Sequence, residues 1–95
     1  MNTIALEGRV TIDNSNDVRS ELANALRSKP EILTVDLSRV TFIDSSGLAT
    51  FVEAMRSARL QGGRLVFRGI QGQARYIFEV FQLNRLFEID EETAA

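Results

Sequence analysis

The sequence predicts a single α/β domain, a mostly parallel or mixed sheet of about four strands packed by about three helices. Segments with the alternating apolar pattern of a strand take turns with segments of helical spacing, in the order β-α-β-α-β-α-β. Glycine, proline or Asx-rich punctuation separates them. One strand-like segment, Leu65-Val66-Phe67, is apolar on both faces, as a strand inside a covered sheet would be. Alternation of this kind implies right-handed crossovers between strands. The 95 residues make one domain and are too few for two. With 44% apolar residues the chain can build a core without disulfide or metal staples.

Ile4, Leu6, Val10 and Ile12 share one parity and define the first strand, with Gly8 as a candidate bulge. Asp13-Asn14-Ser15-Asn16 supplies turn and capping chemistry ahead of a helix from about Asp17 to Ser28. Val18, Leu22, Ala25 and Leu26 are its apolar face, and Pro30 stops it. The second strand spans Ile32 to Ser38. The apolar parity then switches at Val40 and Phe42, which implies a bend near Ser38-Arg39. A second helix follows Asp44-Ser45-Ser46-Gly47, burying Leu48, Phe51, Val52 and Met55, and Gly62-Gly63 caps its end. Leu65 to Phe67 is the third strand and Gly69 to Gly72 a loop. Ala74, Ile77, Phe78 and Phe81 mark a third helix, and Phe87 and Ile89 a short last strand.

Composition removes several chemistries. Cysteine and histidine are absent, so disulfides, thiolates, a Ser-His-Asp triad and a His/Cys zinc site are excluded. The net charge of −2 gives no electrostatic footprint for nucleic acid. No apolar run approaches the ~20 residues that span a bilayer, and no basic-then-apolar leader opens the chain. The expectation is a soluble cytoplasmic domain with no direct membrane insertion, no cofactor and no resident metal.

The chemistry concentrates in Asp44-Ser45-Ser46-Gly47. A turn between a strand end and a helix start is where sites gather in open α/β sheets. The helix start offers free N–H groups and partial positive charge, which suits a phosphate on Ser45 or Ser46. Gly47 leaves bare backbone for an approaching protein or kinase. The same four residues also make an ordinary helix cap and turn.

The stretch Val35-Asp36-Leu37-Ser38-Arg39-Val40-Thr41-Phe42-Ile43-Asp44-Ser45-Ser46-Gly47-Leu48 resembles the signature segment of STAS domains, especially bacterial anti-sigma-factor antagonists. The resemblance runs from about Leu6 to Ile89 and implies a STAS domain over residues 1–90, with 91–95 a short acidic tail. It implies a phosphorylatable serine at Ser46, or its neighbour Ser45, and a partner surface including Asp13, Asp44, Ser45, Ser46, Gly47 and Leu48. It implies a regulator and not an enzyme. The partners would be an anti-sigma factor that is also a serine kinase, and a metal-dependent serine phosphatase. The family often carries one more strand ahead of the segment equivalent to Ile4–Ile12. It also often has an aspartate three residues after the glycine matching Gly8, where this sequence has Thr11, with Asp13 two residues on. In the family that loop normally borders the partner surface, so the resemblance leaves room for a partner other than a standard anti-sigma kinase.

The main alternative is a STAS subunit of a bacterial ABC lipid-transport complex, docked on its ATPase. A weaker one is a magnesium-dependent phosphate-handling enzyme using Asp13, Asp36 and Asp44. Arg56, Arg59, Arg64 and Arg68 read as a solvated rim before a basic patch. Phe78, Phe81 and Phe87 read as core before a ligand pocket.

Overall fold

The structure, a computed structural model, describes residues 2–90; the acidic tail expected at 91–95 lies outside them. Strands β1 (Thr3–Val10), β2 (Ile32–Ile43), β3 (Arg64–Arg68) and β4 (Glu88–Asp90) alternate with helices α1 (Ser15–Leu26), α2 (Ser45–Leu60) and α3 (Gly72–Val80). A short 3-10 turn, Leu83–Arg85, precedes β4. The sheet is four-stranded in the order β1-β2-β3-β4, and every neighbouring pair is parallel. The sheet is therefore purely parallel, and β1 lies at an edge.

Strands laid down in chain order with right-handed crossovers put all three helices on one face. Burial follows that asymmetry. Leu33, Val35 and Leu37 of β2 and Leu65 and Phe67 of β3 are buried; on the other face of β3 Arg64 and Arg68 are exposed, and only Val66 between them is buried. Phe67 is the hub of the core: its ring meets those of Phe51, Phe78 and Phe87 at centroid separations of 5.0, 5.9 and 4.9 Å. Helix α2 ends in a Schellman motif, as Gly62-Gly63 implies. Gly62 adopts φ +82°, its N–H donates to Arg59 O, and Gly63 N–H donates to Ala58 O at 2.9 Å.

β2 runs five residues beyond the Ser38 boundary expected from parity, to Ile43. The register explains the discrepancy. Ala5 pairs with Asp36 but Glu7 with Arg39, and Gly8 with Val40 but Arg9 with Phe42. At each shift β2 spends one residue more than β1, so its buried set moves from Leu37 to Val40 while the ladder continues. Gly8, at φ +75°, sits at one of these irregularities.

Pairing of β2 with β3 ends at Asp36. Beyond it, two glutamines from the start of α3 take over the vacated edge. Gln71 Nε2 donates to Val40 O at 2.7 Å and to Ser38 O at 3.3 Å. The Gln73 side chain accepts from Ile43 N–H at 2.9 Å and donates to Ile43 O at 3.0 Å. Their amides stand in for a strand and satisfy backbone groups that would otherwise be orphaned.

Two residues expected in the core are exposed. β1 stops at Val10, so Ile12 escapes its parity and is 69% exposed. Helix α3 stops at Val80, and Gln82 at φ +53° redirects the chain, leaving Phe81 exposed while Phe78 and Phe87 are buried.

Candidate functional site

β2 delivers the chain to the end of the sheet where β1 also finishes. There Asp44, extended at φ −115° and ψ −172°, caps α2. Its Oδ1 accepts from Gly47 N–H at 2.9 Å. Its Oδ2 accepts from Ile12 N–H at 3.1 Å, across 32 residues of sequence. Asp44 N–H in turn donates to Val10 O at 3.3 Å. One carboxylate thus joins the β1–α1 loop to the start of α2.

These donors set the acidity of Asp44. The Gly47 N–H has the largest influence; desolvation, next in size, opposes it, and the smaller contribution of the Ile12 N–H helps to hold the carboxyl below the ordinary aspartate value. A depressed folded-state pKa stabilises the fold above the unfolded-state value, and that contribution is lost as pH falls through the lower folded-state value. We expect the amide resonances of Ile12 and Gly47 to titrate together, below the usual aspartate range, in a two-dimensional NMR series. Independent midpoints, or a midpoint in the ordinary range, would refute the shared carboxylate.

Ser45 is exposed and Ser46 half-buried, the first and second residues of α2. Among the described residues neither hydroxyl has a hydrogen-bond partner, and no buried side-chain polar atom lacks one. Neither hydroxyl is therefore sealed from solvent. The backbone beneath them is fixed: Ser46 O accepts from the buried Thr50 hydroxyl at 3.0 Å. Leu48, half-buried, packs its side chain against the core.

Gly47 has a different reason from the one its position suggested. It is buried, and a Cβ there would stand 2.5 Å from Val10 O and 3.1 Å from Val10 Cγ1. The space left by its missing side chain belongs to β1 of the same chain and not to an approaching protein.

The β1–α1 loop is a closed hydrogen-bonded unit. Asn14 does not cap α1 with its side chain. Its Oδ1 instead accepts from Thr11 N–H at 2.9 Å, and its Nδ2 donates to Arg9 O at 2.8 Å. Asn14 N–H donates to Thr11 O at 3.1 Å, and Asp13 N–H to the Thr11 hydroxyl at 3.3 Å. Thr11 is buried, and Ile12 and Asp13 point to solvent. Ile12 is the residue at this site that the sequence reading missed, because it shares the parity of the strand before it.

Other candidates fall away from the turn. Asp36 accepts from Ser38 N–H at 2.9 Å and lies 3.7 Å from Arg68, and its carboxyl is lowered first by the Ser38 N–H. It serves the bend in β2. The structure does not gather Asp13, Asp36 and Asp44: among the described residues no three His, Cys, Asp or Glu side chains could hold a metal. Arg64 grips Glu88 with bonds of 3.0 and 2.6 Å, and Arg59 donates to Leu86 O, so these arginines form a partnered rim. No helix among the described residues is long and apolar enough to cross a membrane.

An anti-sigma-B factor antagonist of Listeria monocytogenes is 36% identical over 58 residues, which cover 61% of this chain and 51% of that protein. The match therefore spans about half the length of that curated relative. The fold matches the anti-sigma factor antagonist SpoIIAA in its unphosphorylated form, with a TM-score of 0.72, 21% identity, and coverage of 96% of this chain and 79% of the other. It matches the phosphorylated form of the same Bacillus cell fate determinant with a TM-score of 0.69, 21% identity and coverage of 95% and 82%. A sulfate transporter family protein from Wolinella succinogenes shares the fold as well, at a TM-score of 0.76, 17% identity and coverage of 96% and 77%. A family model for the STAS domain matches residues 2–95, and with a parallel sheet in the same architecture the chain belongs to the STAS domain family.

Proposed function

We propose that the chain is a partner-switching regulator of the anti-sigma-factor antagonist kind. Unmodified, it docks through the α2 start and the β1–α1 loop on an anti-sigma factor that is also a serine kinase. That kinase phosphorylates Ser46, or Ser45, and releases it; a metal-dependent serine phosphatase restores it. The chain performs no chemistry of its own, nucleotide and metal belong to its partners, and the exchange takes place in the cytoplasm.

The observation that carries this reading is an open hydroxyl on a fixed backbone at a helix N-terminus. Asp44 and the Thr50 hydroxyl hold the first turn of α2, so the serines are presented and not mobile. A phosphate there adds about −1.5 to −2 charges at neutral pH. Inside a packed interface such a charge must lose its water, which costs several kcal/mol unless it is paired. The helix start itself tolerates an anion. Two likenesses support the reading: the Listeria relative is named an antagonist of this kind, and the same fold is known in SpoIIAA with and without phosphate.

The test is phosphopeptide mapping of the protein isolated from its own cells, together with identification of what copurifies. Phosphoserine at 45 or 46 and an ATP-binding serine kinase are expected. An unmodified turn that copurifies with an ATPase and a permease would replace this reading with the transport-subunit alternative, to which the Wolinella likeness lends a fold.

A further inference from the structure

We infer that Gln73 is a positioning residue for phosphotransfer to the α2 turn: its side-chain amide holds the end of β2 from which Asp44 and the two serines project. The inference deepens the switching function proposed above and rests on it.

The sheet alone holds the last stretch of β2 poorly. β3 pairs with β2 only as far as Asp36, so among the described residues no strand flanks Leu37 to Ile43 on that side. On the other side the ladder to β1 shifts register twice, between Ala5 and Glu7 and between Gly8 and Arg9. The bond just beyond that ladder, from Asp44 N–H to Val10 O, is long at 3.3 Å. Asp44 N–H points to β1, so the main-chain groups of Ile43, one residue earlier in an extended strand, point to the vacated side. Both find the same partner there. Ile43 N–H donates to Gln73 Oε1 at 2.9 Å, and Gln73 Nε2 donates to Ile43 O at 3.0 Å. One side-chain amide carries both the acceptor and the donor that this strand end needs. Ile43 is 1% exposed, so water does not readily take over when the amide is removed.

Gln73 is itself well seated. It lies in the first turn of α3, whose Ala74 and Phe78 belong to the core. Next after Ile43 comes Asp44, whose carboxylate accepts from Gly47 N–H and whose carbonyl accepts from Leu48 N–H. A chain of direct bonds thus runs from α3 through Gln73 and Ile43 to the first turn of α2. In the transfer a serine oxygen bonds to the γ-phosphorus of the kinase's ATP, the bond to the ADP oxygen breaks, and the hydroxyl proton passes to a base of the kinase. In-line attack requires that oxygen in one place, and a small displacement caused by a distant change costs rate. Docking is spread over a whole surface and is less sensitive to one strand end. Loss of the Gln73 bonds therefore slows the transfer and leaves docking nearly intact.

The test uses the full chain, ATP, magnesium and the purified serine kinase that copurifies with it. Gln73→Met nearly keeps the volume of the side chain and removes both bonds. It is expected to lower kcat for phosphotransfer roughly 10- to 100-fold, with KM within about threefold of wild type. Gln73→Glu keeps the acceptor for Ile43 N–H and loses the donor, so its kcat should fall between the two. Gln71→Met removes bonds to Val40 O and Ser38 O, on the same strand edge but farther from the turn, and should leave kcat within about threefold. Amide exchange of the isolated protein gives a second readout that needs no kinase. Gln73→Met should speed exchange at Ile43 and Asp44 about tenfold more than at Phe67. A Gln73→Met kcat within about twofold of wild type would overturn the inference. So would a loss confined to KM, which assigns Gln73 to docking, or an equal loss of kcat in Gln71→Met, which assigns the effect to the seating of α3. Exchange that quickens uniformly across the sheet would mark a structural role alone and overturn it as well. If Gln73→Met does not fold, Gln73→Glu is held to the same criteria. A wild-type chain that the kinase does not phosphorylate would remove the switching function, whatever the exchange pattern, and leave Gln73 no reaction to serve. Normal wild-type transfer with unaltered exchange in Gln73→Met would remove Gln73 alone.

Discussion

Complete phosphorylation of Ser46 is expected to weaken kinase binding roughly a hundredfold, which corresponds to ~3 kcal/mol, while leaving the unfolding midpoint of the domain nearly unchanged. The two halves of that expectation have different physical origins. Ser46 is half-buried at the second position of α2, where an anion meets the positive end of the helix, an interaction of ~0.3–1 kcal/mol in favour of the fold. The Asp44 carboxylate close by repels it in part, so the net change in stability is small. In the complex the water around the phosphate is removed and no such compensation exists unless the partner supplies a cation. Ser46→Asp brings one charge where phosphate brings about two, so its loss should be smaller, about tenfold. Ser46→Ala should bind like wild type and resist release by the kinase. Equal affinities for the phosphorylated and unmodified protein, measured by calorimetry, would defeat the charge switch. A large drop in the urea midpoint would show that the phosphate acts on the fold and not on the interface.

How far the sequence reaches is clearest in particular residues. The element order was legible because strand and helix periods differ and Pro30, Gly62-Gly63 and Gly69 fall between them. Asp44 was legible as a cap, since an acid three residues before a glycine at a helix start is local chemistry. Its bond to Ile12 was not, because it joins residues 32 apart and depends on β1 and β2 being parallel neighbours. The end of β2 was misread because a bulge and a strand end produce the same break in parity, and only the ladder to β1 distinguishes them. Gln71 and Gln73 gave no periodic signal at all: a side-chain amide that replaces a backbone partner looks like any polar residue in a loop. Phe81 carried a true helical spacing, but α3 ends one residue too soon to bury it.

Gly47→Ala is expected to destabilise the domain by about 1–3 kcal/mol, although alanine is the better helix former. Propensity alone would favour alanine by about 1 kcal/mol inside a helix, and less near its start. Against it stands a Cβ placed 2.5 Å from Val10 O, a backbone oxygen in a strand and not the end of a flexible side chain. Val10 is paired in register with Ile43, and its carbonyl accepts from Asp44 N–H, so it cannot retreat without disturbing both. The steric effect therefore wins, and its consequences reach the site. Moving α2 away from β1 lengthens the Asp44 N–H to Val10 O bond and shifts the carboxylate that holds Ile12. Ala49→Gly, on an exposed position of the same helix, supplies the contrast. It should also lower stability, by at most ~1 kcal/mol, through propensity alone. Only Gly47→Ala should move the Ile12 amide resonance. A urea midpoint for Gly47→Ala at or above wild type would mean that α2 yields freely at its first turn. The fixed presentation of the serines would then be lost as an argument.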